Sequence, residues 1–491
     1  MTILGVSVGF HDAAISVVNR QGDILFAGHS ERYSKIKNDP NIHESLIWDA
    51  VNGDIDTIAY YETPWKKQLR QLYSGQGIEW HKLTTNQILN QQFHGYLDNV
   101  RDRRSCNHHL SHAAAGFQTS PYDRATVVVI DAIGEWDTIS IWAAKYNKGR
   151  AEYIKLWSQR YPHSIGLFYS AMTDRVGLRP MDEEYITMGM AAYGKTGLNK
   201  TISKDLLADT HNIEFKRNLH TGIGGDYPDD SNENLARAAQ DICEELVYNV
   251  MARAANFKWS TNLCYMGGVA LNCLANRKLG DYFDNIWIMP NPGDAGSSLG
   301  ASALVHGGKL NWVNAYLGHL ITGDYPVNSA IDYLLSDHMV GVASGRAEFG
   351  PRALGNRSLL ADPRGTTIKD QVNEIKHRQK FRPFAPVILE EYADKYFFMP
   401  TGWTDTRYMQ IVAKCWQPNN YPAICHVDHT SRVQTVPKDG SGIRQLLEKW
   451  YAITGCPMLL NTSLNIRGEP MVNDLKDAKR FEKEYNVKVV S

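Results

Sequence analysis

The chain has 491 residues, 43% of them hydrophobic and 21% charged, with a formal net charge of −1. That length exceeds one hydrophobic core and predicts two or three domains; the near-neutral balance gives no bulk attraction to nucleic acid or membrane, though it leaves room for a local polynucleotide groove. Seven cysteines without a CxxC spacing predict reduced thiols and a cytoplasmic setting rather than a disulfide framework or a zinc site. With no secretory signal and no apolar run of ~18 residues, neither export nor a membrane span is expected.

Residues 2–29 read as a three-stranded meander, TILGVSV, AAISVVN and ILFAGH, turning at GFHD and RQGD. The first turn carries Gly9, His11 and Asp12. A glycine hairpin between apolar strands either brings backbone close to a phosphate or is a plain turn. SERYSKIK, ending in Lys37, reads as a charged loop. Residues 44–104 hold a helical stretch near ESLIWDAV, basic clusters WKKQLR and RDRR, and the aromatics Tyr60, Tyr61, Trp65, Tyr73 and Trp80, which suit a core better than an acceptor site.

NHHLSHAAAGFQTS is helical by composition. His108 and His112, at i and i+4, share one face, and His109 points elsewhere. Two imidazoles at that spacing either hold a metal or form a structural pair. ATVVVIDAIGEWDTISIW is a second hairpin, whose first strand ends in Asp131 and turns through Gly134. Two such Asp/Gly hairpins suit the phosphates of an actin- or sugar-kinase-like nucleotide fold. SIGLFYSAMTDRVGL predicts a helix with Ser164 at its start, and a long amphipathic helix begins at about Glu233. In TNLCYMGGVALNCLANRKL a strand meets Gly267 and Gly268 and continues into a helix through Asn272, a turn that admits a nucleotide to backbone N–H groups. NIWIMPNPGDAGSSLGASALVHGG repeats the design; Asp294, in its loop, is a third metal ligand or an N-cap.

The turn-rich run from Gly318 to Pro326 predicts a linker, and a new unit starts at about Asn328. Within it, EFGPRALGNRSLLADPR (348–364) sets Arg352, Arg357 and Arg364 among glycines and prolines. From Arg346 to Arg382 there are nine Lys/Arg against four Asp/Glu. Permanently charged forks on a fixed backbone path predict an anion pocket rather than a solvated basic face. In TIKDQVNEIKHRQK, Asn373, Lys376 and Lys380 share a face, and the loop after PMLLN offers Ser463, Asn465 and Arg467 to an anion.

At this point the chain resembles the O-carbamoyltransferases of the nodulation-factor and aminoglycoside-antibiotic type. The resemblance runs nearly end to end through FHDAA (10–14), SERYSKIK (30–37), HHLSHAAAGF (108–117), SIGLFYSAMT (164–173), MGMAAYGK (188–195), GGVALN (267–272), NPGDAGSSLGA (291–301), EFGPRALGNRSLLADPR (348–364), FRPFAPVIL (381–389), HVDHTSRVQTV (426–436) and LLNTSLNIRGEP (459–470). It departs at Ile186, where relatives often carry lysine, and between Lys195 and Leu263, which looks shortened. The family implies an α/β protein. An actin/sugar-kinase-like, two-lobed domain with a metal site is expected over 1–325, and a YrdC-like α/β domain that binds carbamoyl phosphate and ATP over 326–491. It implies two steps, formation of carbamoyl-adenylate and transfer of the carbamoyl group to an alcohol. By the resemblance, His11 is the general base, with Asp12 beside it; His108, His112 and Asp294 hold a metal, by analogy iron, with Mg2+ a further candidate; and Lys37, Gly267, Gly268, Asn272, Arg352, Lys376, Arg382, Arg432, Ser463, Asn465 and Arg467 contact nucleotide or carbamoyl phosphate. A sugar or natural-product alcohol is the family's acceptor. The alternatives are the hydroxymethyl group of a modified pyrimidine, free or in DNA, and, for the whole chain, a kinase of the actin/sugar-kinase fold. Monomer or homo-oligomer is left open.

Overall fold

A computed structural model describes residues 1–379, 382–403 and 405–491; Lys380 and the first residue of FRPFAPVIL lie outside them. Its contacts divide the chain into two units, one of residues 1–30 and 38–313, the other of residues 31–37 and 314–491. Among the described residues no helix is long and apolar enough to cross a membrane.

The first unit is a repeated α/β design. Strands β1 (Ile3–Ser7), β2 (Ala14–Val18) and β3 (Ile24–His29) form the expected meander, and β4 (Thr57–Tyr60) and β5 (Asp102–Ser105) add to it. The sheet order is β3-β2-β1-β4-β5. Its first three strands pair antiparallel and the last two extend β1 in parallel. Helix α1 (His108–Thr119) then leads to β6 (Arg124–Ile130), β7 (Asp137–Asn147) and β8 (Arg150–Arg160); after helices α2 (Ile165–Arg175) and α3 (Asn232–Asn256), β9 (Asn262–Met266) and β10 (Asn285–Trp287) complete a second sheet. Its order, β10-β9-β6-β7-β8, is the first sheet's order again, with the same mixture of antiparallel and parallel pairs. This duplicated topology is the two-lobed actin/sugar-kinase-like arrangement.

Two helices join the lobes. α1 packs on β6 and β9, α4 (Asp294–His306) packs on β1 and β2, and the two helices pack on each other. A Cβ at Gly300 would meet the Ser111 carbonyl oxygen at 1.8 Å, so only glycine allows this approach. Tyr60 and Tyr61 are core residues as expected, whereas Trp65, Tyr73 and Trp80 are exposed. WKKQLR lies in the helix Pro64–Tyr73, and the last three residues of RDRR begin β5, where Arg104 Nη2 donates to Asp102 at 2.8 Å.

The second unit is a mixed α/β domain and begins before position 325. The expected linker is instead strand β11 (Tyr316–Ile321), paired antiparallel with β13 (Gly345–Glu348). Helix α5 (Val327–Ser336) precedes β12 (Met339–Ala343). β14 (Arg357–Ala361), helix α6 (Ile368–Ile375), β15 (Ala385–Leu389), β16 (Gln434–Val436), helix α7 (Gly442–Thr454), β17 (Met458–Ser463), helix α8 (Leu475–Tyr485) and β18 (Val489–Val490) follow. The mixed sheet runs β16-β15-β17-β14-β12-β18. α5 and α7 close its core around Leu334, Leu360, Leu447 and Trp450. α7 and α8 carry no signal read above.

Candidate metal centre and anion loop

Four side chains converge where α1 and α4 begin. His108 is the first residue of α1, and Asn107 caps that helix by accepting from Leu110 N at 3.1 Å. His112 follows one turn on. Asp294 is the first residue of α4, and Gly293 takes the cap position, so the N-cap reading of Asp294 gives way. The fourth is Asp131, just past the end of β6. Nε2 of His108 and of His112 lie 3.2 Å apart. Asp294 Oδ1 is 3.2 Å from His112 Nε2 and 3.4 Å from His108 Nε2. Asp131 Oδ2 is 3.2 Å from His108 Nε2 and 3.7 Å from His112 Nε2. An ion held tetrahedrally at ~2.0–2.2 Å by such atoms separates them by roughly 3.3–3.6 Å. The spacing and the N/O donor set therefore fit a divalent cation, and all four side chains are buried.

The electrostatics agree. Burial opposes charge on the His108 ring, yet Asp294, Asp131 and Glu62 hold it well above the usual imidazole range. Burial likewise opposes charge on Asp294, but His108 and His112 hold its carboxyl well below the usual carboxylate range. His109, which points away onto Ser140 Oγ at 2.8 Å, is pushed down to about 3 by burial and by His108.

Sequence reasoning placed Asp131 among phosphates. In the fold its Oδ1 accepts from Gly268 N at 3.1 Å while Oδ2 faces the histidines. Gly267 makes this possible: its φ is +91° and a Cβ there would meet the Ile130 carbonyl oxygen at 2.2 Å. The Gly267–Gly268 pair thus grips the end of β6. Asn272 exchanges two 3.0 Å hydrogen bonds with Gln240 and caps the next short helix through Ala275 N, so its amide is occupied within the protein. Buried Glu62 was not foreseen. Its Oε2 lies 3.5 Å from His108 Nδ1, and its Oε1 accepts from Lys67 Nζ at 2.8 Å and Tyr60 OH at 3.1 Å. A carboxylate behind a liganding imidazole fixes the ring and its tautomer.

His11 meets this cluster from the first hairpin. Its Nδ1 pairs with Asp12 Oδ2 at 2.9 Å and its Nε2 stands 3.8 Å from Asp294 Oδ2. Burial works against a charged ring here, but Asp12, Asp294 and Asp131 outweigh it and raise His11 to about 9.

In the second unit, Glu348 organises the arginine-rich loop. Its Oε1 accepts from the backbone N–H groups of Leu354, Asn356 and Arg357 at 2.8, 2.9 and 3.1 Å. Arg357 is fully buried and donates to the carbonyls of Ser344, Asn356, Asn473 and His319. Arg364 pairs with Asp362 at 2.8 Å. Those two arginines hold the fold, a correction to the reading of all three as an anion pocket. SERYSKIK is no simple loop. Arg32, buried, donates to the carbonyls of Glu348 and of Gly350, the latter at 2.7 Å, and Lys35 pairs with Asp477.

Lys376, Ser463 and Asn465 form one cluster. Lys376 Nζ donates to Ser463 O at 2.6 Å and to Asn465 Oδ1, and Ser463 Oγ donates to Asn465 Oδ1 at 2.7 Å. Burial, then Arg378, Arg382 and Lys37, hold the Lys376 amine well below its usual range. Arg432 has a buried Nε with no partner among the described residues, and Arg467 is exposed. Lys37, Lys376 and Arg382 are therefore brought into one positive field.

A two-unit α/β protein, with a buried two-histidine, two-carboxylate centre in one unit and a cationic cluster in the other, defines the class. Residues 2–303 match the model of the carbamoyltransferase N-terminus and residues 331–491 that of the carbamoyltransferase C-terminus. The chain belongs to the carbamoyltransferase family and is a carbamoyltransferase. It is 31% identical to an uncharacterized protein of Synechocystis over 97% of this chain and 93% of that protein. It is 29% identical to the nodulation protein NolNO of Sinorhizobium fredii over 95% and 76%. Among solved structures, full-length HypF in its phosphate- and nucleotide-bound form aligns with 62% of this chain and 55% of its own at 11% identity and a TM-score of 0.37.

Proposed function

We propose that the protein is an ATP-dependent O-carbamoyltransferase working in two steps. In the second unit, water hydrolyses carbamoyl phosphate to carbamate and phosphate, and a carbamate oxygen then attacks the α-phosphorus of ATP, forming carbamoyl-adenylate as pyrophosphate leaves with the electron pair of the broken P–O bond. In the first unit, an acceptor hydroxyl attacks the carbamoyl carbon, the bond to the adenylate oxygen breaks, and AMP leaves with that electron pair. What supports the reading most is that both carbamoyltransferase domain models match, one over each unit.

The residues suit these roles. Lys376, Lys37, Arg352, Arg382, Arg432 and Arg467, with Ser463 and Asn465, supply fixed donors for phosphate oxygens, with Mg2+ as companion to ATP. Asp12 holds His11 Nδ1, and a cation held by Asp294 and Asp131 would offset two of the charges that raise the ring, leaving a neutral Nε2 to take the proton from the acceptor hydroxyl. His108, His112, Asp294 and Asp131 would hold the cation, iron by family analogy, and Glu62 would orient His108. A cation bound there supplies Lewis-acid polarisation.

Product analysis tests the proposal. AMP and pyrophosphate, formed only with carbamoyl phosphate, are expected; ADP alone would mark a kinase and sink the carbamoylation reading.

A further inference from the structure

Helix Pro64–Tyr73, in the first unit, is turned inside out. Its polar residues Lys67, Gln68 and Arg70 are buried, while Trp65, Leu69, Leu72 and Tyr73 are 53%, 48%, 52% and 69% exposed. Positions i, i+4, i+7 and i+8 form one apolar stripe, the pattern by which a helix ordinarily meets a core. Trp80, in the short helical turn Trp80–Lys82 that follows, is exposed as well. The helix cannot roll over to hide the stripe. Lys67 Nζ donates to Glu62 Oε1 at 2.8 Å, Gln68 Oε1 accepts from Glu79 N at 2.7 Å, and the Arg70 guanidinium lies 5.9 Å from the centre of the Tyr161 ring. Rolling would leave buried Glu62 without its cation.

A fully buried aromatic side chain covers ~150–250 Å², so these five side chains expose on the order of 100 Å² each. That is roughly 500 Å² on one chain, near the top of the range for a monomer's largest apolar patch, and about 1,000 Å² across a pair of such patches, the size at which a specific interface begins. The charge pattern selects the occupant. The three lysines of residues 64–82 each face a carboxylate: Lys66 Nζ lies 3.7 Å from Glu135, Lys67 Nζ 2.8 Å from Glu62 and Lys82 Nζ 2.8 Å from Glu79. A nucleic acid or an anionic lipid surface binds through uncompensated cations. An apolar face whose charges are already paired fits another of the same kind. The stripe is also symmetric about Leu69. An antiparallel two-fold through that residue sets Trp65 of each copy against Leu72 and Tyr73 of the other, the self-complementarity that an isologous contact requires.

We propose that this face is an isologous dimer interface and that its occupant is a second copy of this chain. The contact braces from outside the helix whose inner face carries Lys67 to Glu62, and it does not depend on the acceptor or on the carbamoyl-transfer reading. Sedimentation velocity on the full chain, at concentrations spanning roughly a thousandfold, is expected to show a species of about twice 55.3 kDa. Leu69→Glu sets two carboxylates face to face on the axis and is expected to raise the dimer dissociation constant by roughly 100-fold or more. Leu69→Cys, treated with diamide, is expected to give a disulfide-linked pair that the wild type does not give. A monomer at every concentration, a dimer that Leu69→Glu leaves unchanged, no cross-link from Leu69→Cys, or a monomer that instead binds phosphatidylcholine vesicles or a single-stranded oligonucleotide each overturn the proposal. Should Leu69→Glu fail to fold, Trp65→Lys carries the comparison.

Discussion

Asp131 divides its carboxylate between the Gly268 amide and the histidine pair, so it both closes β6 and faces the cation site. Asp131→Asn keeps the acceptor for Gly268 but removes the anion. It is expected to weaken Mn2+ or Fe2+ binding at least tenfold, about 1.4 kcal/mol, read by titration of the metal-free protein; unchanged affinity would confine the ligands to His108, His112 and Asp294. Glu62→Gln acts one step further out and is expected to cost ~10–100-fold in metal affinity, with Lys67→Met as a control that lifts Glu62 free of its cation. Lys376 predicts a proton linkage. Its amine is depressed in the folded protein, so between that depressed value and the ordinary lysine range the unfolded chain binds more protons, and stability rises with pH through that window. A bound phosphate reverses the preference. Pyrophosphate binding within that window should therefore take up a proton, which calorimetry in two buffers of different ionisation enthalpy detects, and Lys376→Met should abolish the uptake. The histidine pair was legible because one helix carries both at i, i+4. Asp131 was visible as a residue but not as a ligand, since only the sheet order brings β6 beside the start of α4. Glu62 carried no local signal at all.

At the scale of elements, the 348–364 stretch splits into scaffold and site. Arg357 alone satisfies carbonyls of five different residues from full burial, so Arg357→Met is expected to cost roughly 3–5 kcal/mol, read in denaturant melts. Arg352→Ala should cost far less stability and instead raise KM for carbamoyl phosphate. Equal stability losses in the two would return both to the scaffold. Composition and glycine placement had revealed a fixed backbone path with excess positive charge, but they could not tell which of the arginines satisfies carbonyls inside the fold. Strand periodicity found the first meander and the second hairpin correctly. It missed β11, because a strand that among the described residues pairs with β13 alone shows the glycines of a turn-rich linker and no sustained alternation.

At the scale of the molecule, the two units do not follow each other along the chain. Residues 31–37 belong with residues 314–491, so the chain passes between units after residues 30, 37 and 313. The hydrogen bond from Arg32 to Glu348 spans 316 residues and the Lys35–Asp477 pair 442. A fragment of residues 314–491 made alone lacks Arg32, which leaves the carbonyls of Glu348 and Gly350 without their buried donor. It should show poor amide dispersion in NMR spectra that sharpens when a peptide of residues 30–38 is added; a well-dispersed fragment without the peptide would count against this. Chain synthesis then acquires a schedule. At ~5–20 residues per second the ribosome makes Arg32 about 15–60 s before Glu348 exists to receive it. During that interval the first unit assembles on both sides of a short segment that it must leave unclaimed, so elongation rate and chaperone supply become determinants of yield for this protein, independently of its final stability.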